Sequence, residues 1–303
     1  MKNMSVELCG VKLKNPLIAA SGTFGFGREY DELYDISAWG AISVKGLTDE
    51  PRAGNQAPRI AETASGMLNS VGLQNPGIDA FIQDELPRLV AEGVTVIANV
   101  AGSTVESYRE AVRKLSDSPV AIIELNISCP NVRQGGAQFG ASPEEAARVT
   151  TAVRAVCSCP LMVKLSPNVA DITAIAAAAE DAGADAVSLI NTITGMAIDA
   201  RARRPVLANI TGGLSGPAIK PIALRMVWQA ANCLHIPVVG MGGIMTGMDA
   251  AEFMIAGAAA VMAGTANIAD VMAGPRILQE LGEFLDENGI DDVNELTGSL
   301  ILD

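Results

Sequence analysis

Ala121-Ile-Ile-Glu-Leu125 runs straight into Asn126-Ile-Ser-Cys-Pro-Asn131. A short β-branched run that ends this abruptly reads as a strand buried on both faces, the kind found in parallel sheets. Pro130 stops the strand from continuing, so Cys129 begins a loop at the strand's mouth. A lone cysteine is more commonly an inert part of the core. At a strand exit, however, a thiol with an ordinary pKa of roughly 8.5 can meet a substrate and transfer a proton. Other residues at the same level of the fold favour the second reading.

Seven further runs have the same character: Leu17–Ala20, Ala41–Val44, Val94–Ala98, Leu161–Val163, Ala186–Leu189, Pro237–Val239 and Ala260–Met262. Between most of them, apolar residues recur at helical spacing, in Asp79–Glu92, Thr104–Leu115, Ser142–Val156, Asp171–Ala182, Pro217–Ala231 and Gly247–Ile255. Several of these segments start at a Ser, Thr or Asp able to cap the first turn. Eight buried strands alternating with helices predict an α/β fold, a closed (β/α)8 TIM barrel. Ser5–Leu13 is expected to form a hairpin turning at Cys9-Gly10 and covering the barrel bottom. The piece from Asn191 to Gly216 is expected to be an insertion after strand six, its Arg201, Arg203 and Arg204 a solvated surface rather than a ligand rim. No linker divides the chain, so residues 1–303 are expected to form a single domain.

The composition agrees with one large core: 303 residues, 49% apolar and 4% aromatic. A net charge of −13 opposes nucleic acid or an anionic membrane surface as partner. Cys9, Cys129, Cys157, Cys159 and Cys233 form neither a disulfide framework nor a cluster able to hold an iron–sulfur centre. The N-terminus lacks a signal-peptide pattern, and Phe253–Ala269, interrupted by Thr265 and Asn267, falls short of a membrane span. A cytoplasmic protein is expected.

Barrel active sites lie at the carboxyl ends of the strands. The exits here carry Ser21, Lys45, Asn99, Asn126, Lys164, Asn191, Gly242-Gly243 and Gly264-Thr265. Exits are often polar because they meet solvent, but two lysines directed into one narrow mouth call for an anionic partner. The glycine turns follow strands seven and eight, where barrels most often bind phosphate through backbone N–H groups and a helix terminus. No Gly-x-Gly-x-x-Gly follows a strand, so the Rossmann route to a nicotinamide dinucleotide is not expected. FMN fits better, its phosphate on the two glycine turns and its ring over Lys164, a cation suited to the charge that reduction places near N1 and the C2 carbonyl. The alternative is a Schiff-base aldolase using Lys164. His235, the only histidine, precedes strand seven and so falls on the opposite face; this excludes a Ser-His-Asp triad and histidine-rich metal sites. Cys157-Ser-Cys159, before strand five, reads as structural, and no metal site is expected.

With these residues in place the chain resembles the class 1 dihydroorotate dehydrogenases, from about Met4 to the C-terminal helix. The resemblance rests on Asn69-Ser-Val-Gly-Leu73, Asn126-Ile-Ser-Cys-Pro-Asn131, Val163-Lys-Leu-Ser-Pro167, Asn191-Thr192 and Gly242-Gly243, in the family's order and spacing. It implies Cys129 as the catalytic base, where class 2 enzymes have serine. It implies FMN contacts at Ser21, Lys45, Gly46, Asn99, Asn126, Lys164, Ile190, Gly216, Gly242, Gly243, Gly264 and Thr265, and substrate contacts at Lys45, Asn69, Ser70, Val71, Gly72, Leu73, Asn126, Asn191 and Thr192. Asparagine amides suit a pyrimidine because its ring alternates N–H and C=O. The implied reaction is oxidation of dihydroorotate to orotate in pyrimidine biosynthesis. Gly135-Gly136 would make the loop after Cys129 a lid.

Within class 1, Ser21-Gly-Thr-Phe-Gly-Phe-Gly27 and Arg133-Gln-Gly-Gly-Ala-Gln-Phe139 resemble the NAD-linked B subtype rather than the fumarate-linked A subtype. That implies a partner subunit carrying FAD and a [2Fe–2S] cluster, in a heterotetramer with two of each subunit. A third possibility is a barrel retained mainly for docking.

Overall fold

The computed structural model describes residues 2–128 and 139–302. Eight parallel strands close into a barrel in the order β10-β15-β16-β3-β4-β7-β8-β9. They are β3 (Leu17–Ala19), β4 (Ala41–Ser43), β7 (Val96–Val100), β8 (Ile122–Asn126), β9 (Leu161–Lys164), β10 (Ala186–Leu189), β15 (Val238–Met241) and β16 (Ala260–Ala263). Each expected strand is present. β7 is shifted by two residues, running to Val100, and so keeps Asn99 inside the strand. Asn99 is fully buried and its amide is hydrogen-bonded within the barrel, so its polarity does not end the strand.

Every residue of all eight barrel strands is buried. This double-sided burial is why the strands read as continuous apolar runs. The helices around them are held by the anticipated caps. Thr104 and Ser107 form a reciprocal capping box before Val105–Ser116, Asp171 caps Ile172–Asp181, and Thr246 with Asp249 caps Gly247–Ile255. The segment expected as one helix over Asp79–Glu92 is instead α-helical at Ile78–Ala80, a π-turn at Phe81–Glu85, and α-helical again at Leu86–Ala91. Pro87 has no N–H to close a bond one turn back, and the widened turn lies just before it.

The N-terminal hairpin pairs β1 (Val6–Leu8) with β2 (Val11–Leu13). At its tip, burial pushes the Cys9 thiol up to about 12, and the charge of Asp185, one residue before β10, adds to the rise. The insertion after strand six forms β11 (Ile193–Met196), the short pair β12 (Ile198–Asp199) and β13 (Arg204–Pro205), and β14 (Thr211–Ser215). Arg201, Arg203 and Arg204 are exposed. Sequence reading missed a second insertion, after β4: the hairpin β5 (Ile60–Thr63) and β6 (Gly66–Asn69). It joins the first in one antiparallel sheet ordered β11-β14-β6-β5. Leu68 pairs with Leu214 and Asn69 with Gly213, so residues remote in sequence share one ladder over the barrel mouth.

Among the described residues no helix is long and apolar enough to cross a membrane, and no group of three or more His, Cys, Asp or Glu side chains could hold a metal ion. His235 is 95% exposed beside Glu180, whose carboxylate accepts from the His235 and Ile236 backbone N–H groups. Cys157 and Cys159 pack at the foot of the helix Val105–Ser116, and burial raises both thiols.

Candidate active site

The carboxyl ends of the barrel strands and the antiparallel sheet enclose a cleft of about 1210 Å³, counting open solvent at its mouth. Of the residues the sequence nominated, Ser21, Lys45, Gly46, Asn69, Val71, Gly72, Leu73, Asn126, Lys164, Ile190, Asn191, Thr192, Gly216, Gly242, Gly243, Gly264 and Thr265 all line it. Asn99 and Ser70 do not. Both are fully buried, Asn99 behind Gly46 and Ser70 with its backbone N–H bonded to the Arg59 carbonyl. Cys129 and Gly135-Gly136 lie outside the described residues.

Glycine turns form part of the cleft wall. Gly242 and Gly243 adopt φ of 125° and 83°. A Cβ at Gly243 would stand 2.8 Å from the Lys220 Cβ and 2.9 Å from the Gly216 carbonyl oxygen. Only glycine lets this backbone lie flush with the cleft wall. The segment beyond is pinned from behind. Asp249 accepts from the Met245 and Thr246 N–H groups, and Glu280 accepts from Gly247 N–H. Burial opposes ionisation of Asp249, but Lys220, the Met245 N–H and the Thr246 side chain outweigh it and lower its pKa. Ser215 and Thr265 join hydroxyls at 2.8 Å, tying the Gly216 turn to the turn after β16.

The loop Asn69–Leu73 also lines the cleft, through Asn69, Val71, Gly72 and Leu73. Gly72 and Leu73 have φ of 77° and 56°, and two asparagines that sequence reading did not single out hold the loop in that shape. Asn55 donates to the Ser70 carbonyl at 2.9 Å, and Asn75 donates to the Leu73 carbonyl at 2.7 Å while accepting from Thr48 N–H.

The floor is polar and buried. Lys164, 4% exposed, has its ammonium 3.9 Å from the Glu124 carboxylate, which is fully buried. Glu124 also accepts from the hydroxyls of Ser43 at 2.8 Å and Ser188 at 2.7 Å, and from the Asn99 amide. Asn126 donates to Asn99 Oδ1 at 3.2 Å; its own Oδ1 accepts from the Ser128 hydroxyl at 3.0 Å. Asn191 in turn donates to Ser128 Oγ at 2.7 Å. Glu124 was not nominated from the sequence. The available signal was the two-residue period of a strand, which places it on the same face as Asn126.

The family model for dihydroorotate dehydrogenase matches residues 3–285. The chain belongs to the dihydroorotate dehydrogenase family. It is 57% identical over 300 residues to the "Dihydroorotate dehydrogenase B (NAD(+)), catalytic subunit" of Geotalea uraniireducens, covering 99% of this chain and 98% of that one. It is 54% identical over 299 residues to the protein of that name from Alkaliphilus oremlandii, covering 99% of each. Among solved structures, a dihydroorotate dehydrogenase from Eimeria tenella in complex with ferulenol superposes with a TM-score of 0.83 over 98% of this chain and 88% of that one. At 22% identity this likeness speaks for the barrel fold alone.

Proposed function

We propose that this member of the family is the FMN-bearing catalytic subunit of an NAD-linked dihydroorotate dehydrogenase, oxidising dihydroorotate to orotate for pyrimidine biosynthesis. The observation that carries the reading is that one cleft is lined by the glycine turns, the Asn69–Leu73 loop and the buried Lys164 together. The full-length likeness to relatives named for this activity supports it.

The residues present fit FMN. The Gly216, Gly242–Gly243 and Gly264–Thr265 turns offer a close-approach backbone to its phosphate, while Ser21, Lys45, Gly46, Asn126, Lys164 and Ile190 flank the space left for its ring. Asn99 supports this set from behind rather than by contact, and Ser70 supports the Asn69–Leu73 loop in the same way. When bound, FMN supplies the hydride acceptor for the C6 hydrogen of dihydroorotate. The protein's part is to hold the substrate and move a proton. Lys45 with the backbone of the Gly72 loop takes the carboxylate, and Asn69, Asn126, Asn191 and Thr192 address the alternating N–H and C=O edge of the ring. Cys129, which follows Ser128 in the sequence, removes the C5 proton as general base. The full-length likeness to relatives named dihydroorotate dehydrogenase argues against an aldolase.

Return of electrons to NAD requires groups this sequence does not encode in recognisable form, and the relatives' designation as a catalytic subunit supports a partner. We assign FAD and a [2Fe–2S] cluster to that partner, in a heterotetramer of two subunits of each kind, located in the cytoplasm. The four cysteines among the described residues are free thiols, in keeping with a reducing compartment. The test is anaerobic. The purified protein should be yellow and should bleach on adding dihydroorotate, and NAD should restore the colour only with the partner co-expressed. A colourless protein, or one that dihydroorotate does not bleach, overturns the assignment.

A further inference from the structure

Among the described residues Glu124 is the only buried carboxylate, and it lies inside the barrel rather than in the cleft it serves. Burying a carboxylate is costly unless every lone pair is matched, and a hydrophobic residue of similar size would usually serve stability as well. Glu124 is matched by Ser43, Ser188, Asn99 and the Lys164 ammonium. Its effect runs outward from there.

An ionised carboxylate can only accept hydrogen bonds, so Asn99 must turn its NH2 inward and its carbonyl oxygen outward. Asn126 must then present NH2 to Asn99, which turns the Asn126 carbonyl toward Ser128. The Ser128 hydroxyl donates to that carbonyl, and its oxygen is left to accept from Asn191. Every donor in the series Asn191, Ser128, Asn126, Asn99 points toward Glu124. Inverting any one amide would set donor against donor or oxygen against oxygen. The series ends on residues that line the cleft and on the residue immediately before position 129.

We propose that Glu124 is a positioning residue: it anchors a one-way hydrogen-bond chain that engages one N–H and the carbonyl oxygen of the Asn126 amide, leaving the other N–H as the group Asn126 offers to a ligand carbonyl in the cleft it lines, and its charge offsets that of Lys164. This inference rests on the flavin and dihydroorotate reading above and deepens it. It makes the site selective for ligands that present carbonyl oxygen, not N–H, to Asn126.

Glu124→Gln tests both halves, because it preserves shape, removes the charge and gives Asn99 a partner that can also donate. The flavin-loaded variant is expected to bind orotate at least tenfold more weakly, read from the perturbation of the flavin spectrum. With Lys164 no longer offset, the bound flavin should become easier to reduce. The expected change is at least a tenfold gain in affinity for the reduced over the oxidised form, about 30 mV for a two-electron couple. A purely structural role would lower thermal stability and move neither quantity. Asn99→Ala supplies a second arm, because it cuts the chain but leaves the ion pair: orotate binding should weaken with the potential unchanged. Orotate affinity and potential equal to the parent's in Glu124→Gln, or parental orotate affinity in Asn99→Ala, overturn the inference while the functional assignment stands. A parent protein that holds no flavin overturns both.

Discussion

Single side chains decide what this cleft can hold. Gly243 sits at φ 83° with Lys220 and the Gly216 carbonyl where a methyl group would go. Left-handed backbone alone costs an L-residue roughly 1–2 kcal/mol, before any collision. Gly243→Ala should therefore weaken FMN binding by at least tenfold, measured by quenching of flavin fluorescence, while the fold survives. At position 129 the expectation is kinetic. Cys129→Ala should keep its flavin, but reduction by dihydroorotate should slow by about 10²–10⁴-fold in stopped flow, the usual contribution of a positioned base. An unimpaired rate would remove Cys129 from the role. Much of this was legible in the sequence, because residues that leave buried strands must point into the barrel mouth, as Lys164 and Asn126 do. Glu124 was obscured by isoleucine and leucine neighbours that face the other way or lie deeper. Asn99 reads as an exit in the sequence because polarity in a strand looks like an ending until its hydrogen-bond partners are known.

Where the turn after β15 meets its helix, three short-range devices converge: the Thr246–Asp249 capping box, the Lys220–Asp249 ion pair and the Glu280 bond to Gly247. Asp249 has a lowered pKa in the folded state, so it stabilises the fold above its ordinary carboxylate value of 3.8, and that contribution fades as pH falls through the lower folded value. Asp249→Asn should cost about 1–2 kcal/mol near neutrality, the scale of a lost cap. In urea titrations the gap to the parent should narrow below about pH 4. A gap independent of pH would show that ionisation of Asp249 contributes nothing. The barrel strands and most helices were readable because burial on both faces and helical periodicity are local signals. The hairpin of β5 and β6 was not, since both strands are four residues long and β6 finds its second partner in β14, far along the chain. Likewise the helix expected over Asp79–Glu92 was correct in place, but the π-turn before Pro87 arises from one missing donor that periodicity does not register.

At the scale of the barrel, the strands close into one cylinder whose cleft lies at one rim, so a ligand that bridges the rim should stabilise what lies beneath it. Titrating FMN into flavin-stripped protein should raise the melting temperature, with stabilisation near 2.7 kcal/mol when free FMN is a hundred times its dissociation constant. An unmoved melting transition would mean that the rim does not bind the cofactor. The antiparallel sheet over the mouth draws β5 and β6 from one barrel connection and β11 and β14 from another. Asn69 and Gly216 flank the cleft from those separate origins, locked by the pairing of Met67 with Ser215 and Asn69 with Gly213. Neither excursion can therefore be inherited alone. A chimera that swaps one of them for a relative's version would arrive with its ladder half unmatched, so successful recombinants of this barrel should exchange residues 60–69 and 193–215 together or not at all.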